Sequence, residues 1–138
     1  MQAFIGVSRK KSSLSLEEGS KSFWCIRPSY AAEVGDILLL YFTGIGIAQI
    51  YRIVVSNDPR QEGECSVRGL QTIRTVLTAH IPNPITARQM KADPGTKGMS
   101  AAYRNFQGTI FATKPEEWSA LLRLIQDDNP DLELDLAE

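Results

Sequence analysis

Hydrophobic residues concentrate in two runs near the middle of the chain, Ile37–Phe42 and Ile47–Val55. Both runs are rich in β-branched and aromatic residues, and the glycine-bearing segment Thr43–Gly46 separates them. This pattern predicts two neighbouring strands joined by a hairpin. Taken together the runs approach the length of a membrane span, but Gln49 and Arg52 would then lie in the hydrocarbon, so we favour the hairpin.

Three further segments have patterns typical of strands. Gln2–Ser8 and Ser66–Thr78 alternate along their length, and Gln107–Ala112 follows one helical turn predicted at Ser100–Asn105. Between them, Ile81–Thr86 is expected to be extended because of its two prolines.

Two further short helices are predicted earlier in the chain. Arg27–Tyr30 has the proline placement of a short helical turn. Thr86 is a suitable N-cap for a helix at Ala87–Ala92, which Asp93-Pro94-Gly95 would end.

The best-defined helix is the last one. Thr113–Glu116 matches a capping box with a proline near the start, and Asn129-Pro130 would end the helix. Its apolar residues recur at i, i+3, i+4 and i+7, which predicts one stripe docked on a sheet. The stripe consists of Trp118, Leu121, Leu122 and Ile125.

Hairpin-linked strands with helices packed outside predict an α+β domain with a curved, mostly antiparallel sheet of five or six strands. The length of 138 residues suits a single domain, which we place at residues 1–126. Residues 127–138 are predicted to be an acidic, disordered tail.

Charge is distributed unevenly between these two parts. The tail holds six of the 16 acidic residues and no lysine or arginine, so the body has 15 basic and 10 acidic residues and a charge of +5. A basic body is compatible with a polyanionic partner, and a solvated surface is the plainer explanation. The basic loop Arg9–Ser13 could contact phosphate or simply be exposed.

Cysteine content and the N-terminus suggest a compartment. Cys25 and Cys65 lie far apart without a CxxC spacing, which favours free thiols over a disulfide. Met1–Lys11 lacks the pattern of a signal peptide. We therefore expect a cytoplasmic protein.

Catalytic motifs are weak. His80 is the single histidine, and no nucleophile signature surrounds it, so a surface or capping role is favoured. A zinc site would have to gather Cys25, Cys65 and His80 from scattered positions. Gly44 and Gly46 form a GxG without the following βαβ context. These patterns favour a binding module over an enzyme.

Several segments, in order and spacing, resemble the EVE domain group of the PUA-like superfamily. They are Phe23-Trp24-Cys25, Val34–Tyr41, Ile50–Val54, Pro84-Ile85, Phe106-Gln107-Gly108 and Thr113–Ile125. The resemblance covers most of residues 2–126, although the WDGVRN-like run of eukaryotic EVE proteins is absent. Trp24-Cys25 also resembles the tryptophan segment of the related YTH readers of methylated adenine.

The resemblance implies a small twisted barrel whose aromatic pocket binds a modified nucleobase without catalysis. The implied partner is DNA or RNA carrying a modified base, and no cofactor, metal or membrane is expected. The candidate ligand-binding residues are Trp24, Cys25, Ser8, Arg9, Tyr30, Tyr41, Phe42, Arg104 and Gln107.

Some of these roles stay open. Trp24 is either a pocket wall or a core residue, and strand alternation lets only one of Tyr41 and Phe42 face a pocket. Arg104 and Gln107 could contact a base edge or phosphate, or be merely exposed. The alternative function is a small-ligand protein or small enzyme, which would need a titratable group such as His80 or Glu33 in the pocket.

Overall fold

The computed structural model describes residues 1–58 and 64–134, which form one six-stranded sheet with four α-helices and two 3₁₀ helices. The strands are β1 (Ala3–Ser8), β2 (Lys21–Ile26), β3 (Ile37–Phe42), β4 (Gly46–Val55), β5 (Gln71–Ile85) and β6 (Ile110–Ala112). The α-helices are α1 (Glu64–Val67), α2 (Ala87–Ala92), α3 (Ser100–Tyr103) and α4 (Pro115–Asp128), and the 3₁₀ helices are Lys11–Ser15 and Pro28–Tyr30.

The strand order across the sheet is β2-β5-β4-β3-β1-β6. Only the β1–β3 pair is parallel among the strand pairs of the described chain, and the sheet curls into a half-barrel. This confirms the predicted α+β domain with a curved, mostly antiparallel sheet.

The central hairpin was predicted correctly, and β3 is its most buried strand. Every side chain of Ile37–Phe42 is buried, because the sheet is covered on both faces. On one face Leu39 and Tyr41 join a cluster that includes residues of α2, α3 and α4. On the other, Leu40 and Phe42 join a second cluster enclosed by the curled sheet. As alternation predicted, Tyr41 and Phe42 face opposite sides.

Helix α4 docks on the first cluster through a slightly different face from the predicted stripe. Leu121 and Ile125 are fully buried, and the half-buried Trp118 packs against the same cluster. Leu122 is only half-buried and does not join the cluster, so the prediction was wrong at that position. The half-buried Leu124 packs against the cluster instead, because the buried face is centred on Leu121 and Ile125.

The helix starts agree with the sequence to within a residue. Thr86 forms the predicted capping box of α2, with Gln89 as the reciprocal partner. At α4 the N-cap is Lys114, whose backbone N–H donates to Glu117 at 2.8 Å. The predicted N-cap, Thr113, instead donates its hydroxyl to the carbonyl of Ala3.

The region between β4 and β5 differs from the prediction. Residues 66 and 67, predicted as strand, belong to α1, and β5 continues through the prolines to Ile85. The Leu77 backbone still forms hydrogen bonds with Gly19 and Ser20, and beyond Leu77 β5 pairs with β4 alone. Pro82 and Pro84 are tolerated there because one edge of the strand needs no backbone donor.

Strand β2 was not predicted at all. Its side chains are mostly exposed or half-buried, which gives the weak hydrophobic pattern of an edge strand. It pairs antiparallel with β5, with Trp24 opposite Ile73 and Cys25 opposite Thr72.

The first residues of the predicted tail are ordered parts of the fold. Asp127 and Asp128 complete α4, and Asn129 exchanges hydrogen bonds with the backbone of Asn83. Leu132 and Leu134 pack against the first cluster. Residues 135–138 lie outside the described residues. Within the described ranges, none of the helices has the length and apolar character that a membrane crossing requires.

Candidate functional site

A disulfide joins Cys25 in β2 to Cys65 in α1, with Cα atoms 5.2 Å apart. The predicted free thiols are therefore wrong. The cause is topological: α1 leads directly into β5, and β5 pairs with β2, so two cysteines 40 residues apart in sequence meet at one sheet edge. This bond removes the free-thiol argument for a cytoplasmic location, which stays a prediction.

The disulfide lies at the edge of a cavity of about 560 Å³, which we call the arginine cavity. Its lining combines three arginines with aromatic and apolar residues and comes from β2, the segment after α1, α3 and β6. The main lining residues are Cys25, Arg27, Tyr30, Arg68, Arg104 and Phe111. Arg27 lies over the ring of Tyr30 at 6.0 Å, a cation–π distance.

A second cavity of about 590 Å³, which we call the tyrosine cavity, lies beside it. Arg9, Thr43 and Asn105 line it together with a stacked aromatic pair, Tyr41 and Phe106. The rings of that pair are 4.2 Å apart between centroids and 10° from parallel. Burial raises the pKa of the Tyr41 phenol, so this hydroxyl remains protonated at neutral pH.

The segment Asn105–Gly108 separates the two cavities, and Gln107 and Gly108 line both. Its backbone is unusual, because the non-glycine residues Asn105 and Phe106 have φ of 53° and 55°. For an aromatic residue this conformation costs about 1–3 kcal/mol. Gly108 has φ of 141°, and a Cβ there would lie 2.7 Å from the Phe111 ring. The segment therefore favours glycine at position 108.

The cavity linings are cationic. Arg9, Arg27, Arg68 and Arg104 are exposed, and none forms a salt bridge with any residue of the described chain. The exposed Gln107 amide also lacks an intramolecular partner among the described residues. These groups are therefore available to a ligand.

The structure brings most of the predicted site residues to the two cavities. Cys25, Tyr30, Arg104 and Gln107 line the arginine cavity, and Arg9, Tyr41 and Gln107 line the tyrosine cavity. Arg27, Arg68, Phe106 and Phe111 were not predicted. Arg27 could have been found from its position beside Trp24-Cys25, whereas Arg68 reaches the cavity only through the disulfide-linked α1.

Ser8, Trp24 and Phe42 line neither of these cavities. The Ser8 hydroxyl accepts the Lys10 backbone N–H at 3.0 Å, and Phe42 is fully buried in the second cluster. Trp24 is half-buried against the same cluster, and its indole N–H is buried without a partner among the described residues.

His80 and Glu33 also lie away from both linings. His80 Nε2 is 2.6 Å from the carbonyl of Leu16, and exposed Glu33 donates its backbone N–H to Asp36. In the described ranges, neither lining includes a carboxylate or a histidine. No group of three potential metal ligands occurs there either.

Comparison with solved structures identifies the fold. A hypothetical protein from Leishmania major superposes with a TM-score of 0.69 at 15% identity, covering 93% of this chain and 96% of that one. Human THYN1, solved in complex with DNA containing 5-methylcytosine, gives 0.66 at 13% identity, covering 91% and 98%. No family model and no curated protein sequence matches the chain.

An ASCH protein of Zymomonas mobilis, solved as a tyrosine-to-phenylalanine variant, gives a TM-score of 0.56 at 13% identity. It covers 90% of this chain and 99% of its own. The chain thus has the PUA-like fold of the EVE and ASCH type, as its sequence motifs predicted.

Proposed function

We propose that this protein binds nucleic acid carrying a modified base and does so without catalysis. The observation that carries the proposal is the pair of adjoining cavities, in which aromatic rings and unpaired arginines surround a free amide. Aromatic faces stack on bases, guanidinium groups bind phosphate, and amides recognise base edges. The shared fold with a protein solved on 5-methylcytosine DNA supports the same class of ligand.

We assign the base to the tyrosine cavity. Tyr41 and Phe106 supply a rigid aromatic wall there, held in place by their mutual stacking. Gln107 supplies an amide donor and acceptor at the same cavity. A cationic, aromatic and amide lining favours binding over hydrolysis, which needs a positioned acid, base or nucleophile.

The test is titration with matched oligonucleotides that differ in a single modification, in DNA and in RNA. The first pair carries 5-methylcytosine or cytosine. We expect one pair in the panel to show tighter binding of the modified member. Equal affinity for both members of every pair would contradict the proposal.

Gln107→Ala with Gln126→Ala as control locates the recognition. Both glutamines are exposed, but only Gln107 lines the cavities. Loss of one hydrogen bond to the base should reduce the preference about threefold to tenfold in Gln107→Ala. Gln126→Ala should retain the full preference, and an equal loss in both variants would place recognition elsewhere.

A further inference from the structure

Three arginines converge on the arginine cavity from separate parts of the chain. Arg27 follows β2, Arg68 follows α1, and Arg104 follows α3. Each is exposed, and none has a carboxylate partner in the described part of the chain. The cavity therefore concentrates positive charge that the fold itself leaves uncompensated.

Such an arrangement favours an anionic ligand. Like charges on one cavity repel each other, and a bound anion relieves that repulsion. Guanidinium groups form paired hydrogen bonds with phosphate oxygens, and the Ser100 hydroxyl lines the same cavity as a further donor. The aromatic ring of Tyr30 supports the Arg27 guanidinium at 6.0 Å and so limits its freedom before binding.

The neighbouring cavity indicates where such an anion comes from. Gln107 and Gly108 line both cavities, so a strand whose base enters the tyrosine cavity has its adjacent backbone beside the arginines. We propose that the arginine cavity binds the phosphodiester groups flanking the recognised base. This inference rests on the proposed function and divides the site into a base cavity and a phosphate cavity.

The test uses Arg27→Gln, Arg68→Gln and Arg104→Gln, with Arg88→Gln as the matched control. Arg88 is exposed on α2 and lines neither cavity. Affinity for the modified oligonucleotide and its unmodified twin is measured over a range of salt concentrations, and melting temperatures check the fold. All four side chains are exposed, so we expect unchanged melting.

Each cavity variant should weaken binding of both oligonucleotides by the same factor, about tenfold at low salt. The slope of log affinity against log salt should become shallower by about 0.7 for a single strand and about 0.9 for a duplex. Arg88→Gln should change neither quantity beyond a small general effect. Unchanged slopes in the cavity variants, or an equal change in Arg88→Gln, would overturn the proposal.

Two further outcomes separate this inference from the proposed function. Loss of affinity for the modified oligonucleotide alone would mean that the arginines contact the base, and would overturn the phosphate assignment. In the second outcome, the wild-type protein binds the modified and unmodified oligonucleotides equally while the arginine variants show the predicted slope changes. That result would contradict the proposed function and support the phosphate assignment.

Competition with inorganic phosphate shows whether the arginine cavity binds the backbone of a nucleic-acid strand or a free anion. At constant ionic strength, it should displace the oligonucleotide no better than chloride does. Selective displacement by phosphate, abolished in Arg68→Gln, would assign the cavity to a free phosphate ligand and overturn the backbone assignment.

Discussion

Tyr41 and Phe106 stack almost parallel, 4.2 Å apart, and so connect the most buried strand to the segment between the two cavities. The stack gives Phe106 a fixed position despite its left-handed backbone. We infer that packing against Tyr41 compensates for the local strain and keeps Asn105–Gly108 in a shape that serves both cavities.

Gly108→Ala should disturb this segment selectively. The new methyl group would meet the Phe111 ring at a backbone φ of 141° that disfavours alanine. We expect a loss of about 1–3 kcal/mol in the free energy of unfolding and a larger loss of oligonucleotide binding. Gly98→Ala, where a methyl group meets open space, is the control. Denaturant titration and binding measured in parallel would test this, and wild-type binding by Gly108→Ala would contradict it.

Trp24→Ala tests whether this tryptophan is a core residue or a stacking wall. Because Trp24 packs against the second cluster and lines neither cavity, we expect a stability loss of about 3 kcal/mol. Binding should fall only with the unfolded fraction. Trp24→Phe should lose less, since it also removes a buried indole N–H without a partner. The neighbouring Phe23→Ala, 46% exposed, should melt like the wild type. A folded Trp24→Ala protein that has lost binding would establish the stacking role.

Leu121→Ala and Leu122→Ala distinguish the two possible faces of α4. Leu121 is fully buried and Leu122 is half-buried. We expect a loss of about 2–5 kcal/mol for Leu121→Ala and a clearly smaller loss for Leu122→Ala. Thermal or denaturant unfolding gives both values. Equal losses would indicate that α4 is rotated about its axis relative to this orientation.

Replacing both cysteines by serine should affect stability and binding together. The disulfide closes a loop across 40 residues, which corresponds to about 4 kcal/mol in the chain-entropy treatment. It also holds the α1 segment that carries Arg68 against β2, so affinity for both oligonucleotides should fall. Treatment of wild-type protein with a dithiol reductant should reproduce the loss. Unchanged affinity in folded, reduced protein would show that the arginine cavity persists without the bond.

Charge near the end of the described chain should oppose nucleic-acid binding. Asp131 and Glu133 are exposed, so Asp131→Asn with Glu133→Gln removes charge and leaves Leu132 and Leu134 packed. We expect tighter binding at low salt, with a gain that shrinks as salt screens the repulsion. Truncation from Asp128 onwards is a poorer test, because it also removes the Asn129 hydrogen bonds. Weaker binding by the neutralised variant would place these acids in the site.

Sequence patterns predicted the elements whose determining residues are close together in sequence. The hairpin of β3 and β4 and the capped helix α2 were found because their apolar runs, glycines and capping residues lie next to each other in sequence. Strand β2 was missed because its existence depends on pairing with β5, and the paired residues Lys21 and Val76 are 55 positions apart in sequence. The same long-range pairing decides the disulfide.

The residues that line the cavities were predictable where a motif carries them. Gln107 and Arg104 were found beside the QG dipeptide, and Tyr41 was found on the strand of the hairpin. Arg68 has no such local signal, since an arginine in a turn is ordinarily just exposed. Its position at the arginine cavity arises only when α1 is attached to β2.

Strand β1, the first strand in sequence, pairs with β6, the last. The three arginines of the arginine cavity also lie far apart in sequence, from Arg27 to Arg104. A ribosome-bound chain from which β6 has not yet emerged therefore has neither the sixth strand of the sheet nor a complete cavity. On the proposed function, nucleic-acid binding should consequently appear only after β6 has emerged, so that shorter nascent chains do not compete with the folded domain for the same ligand.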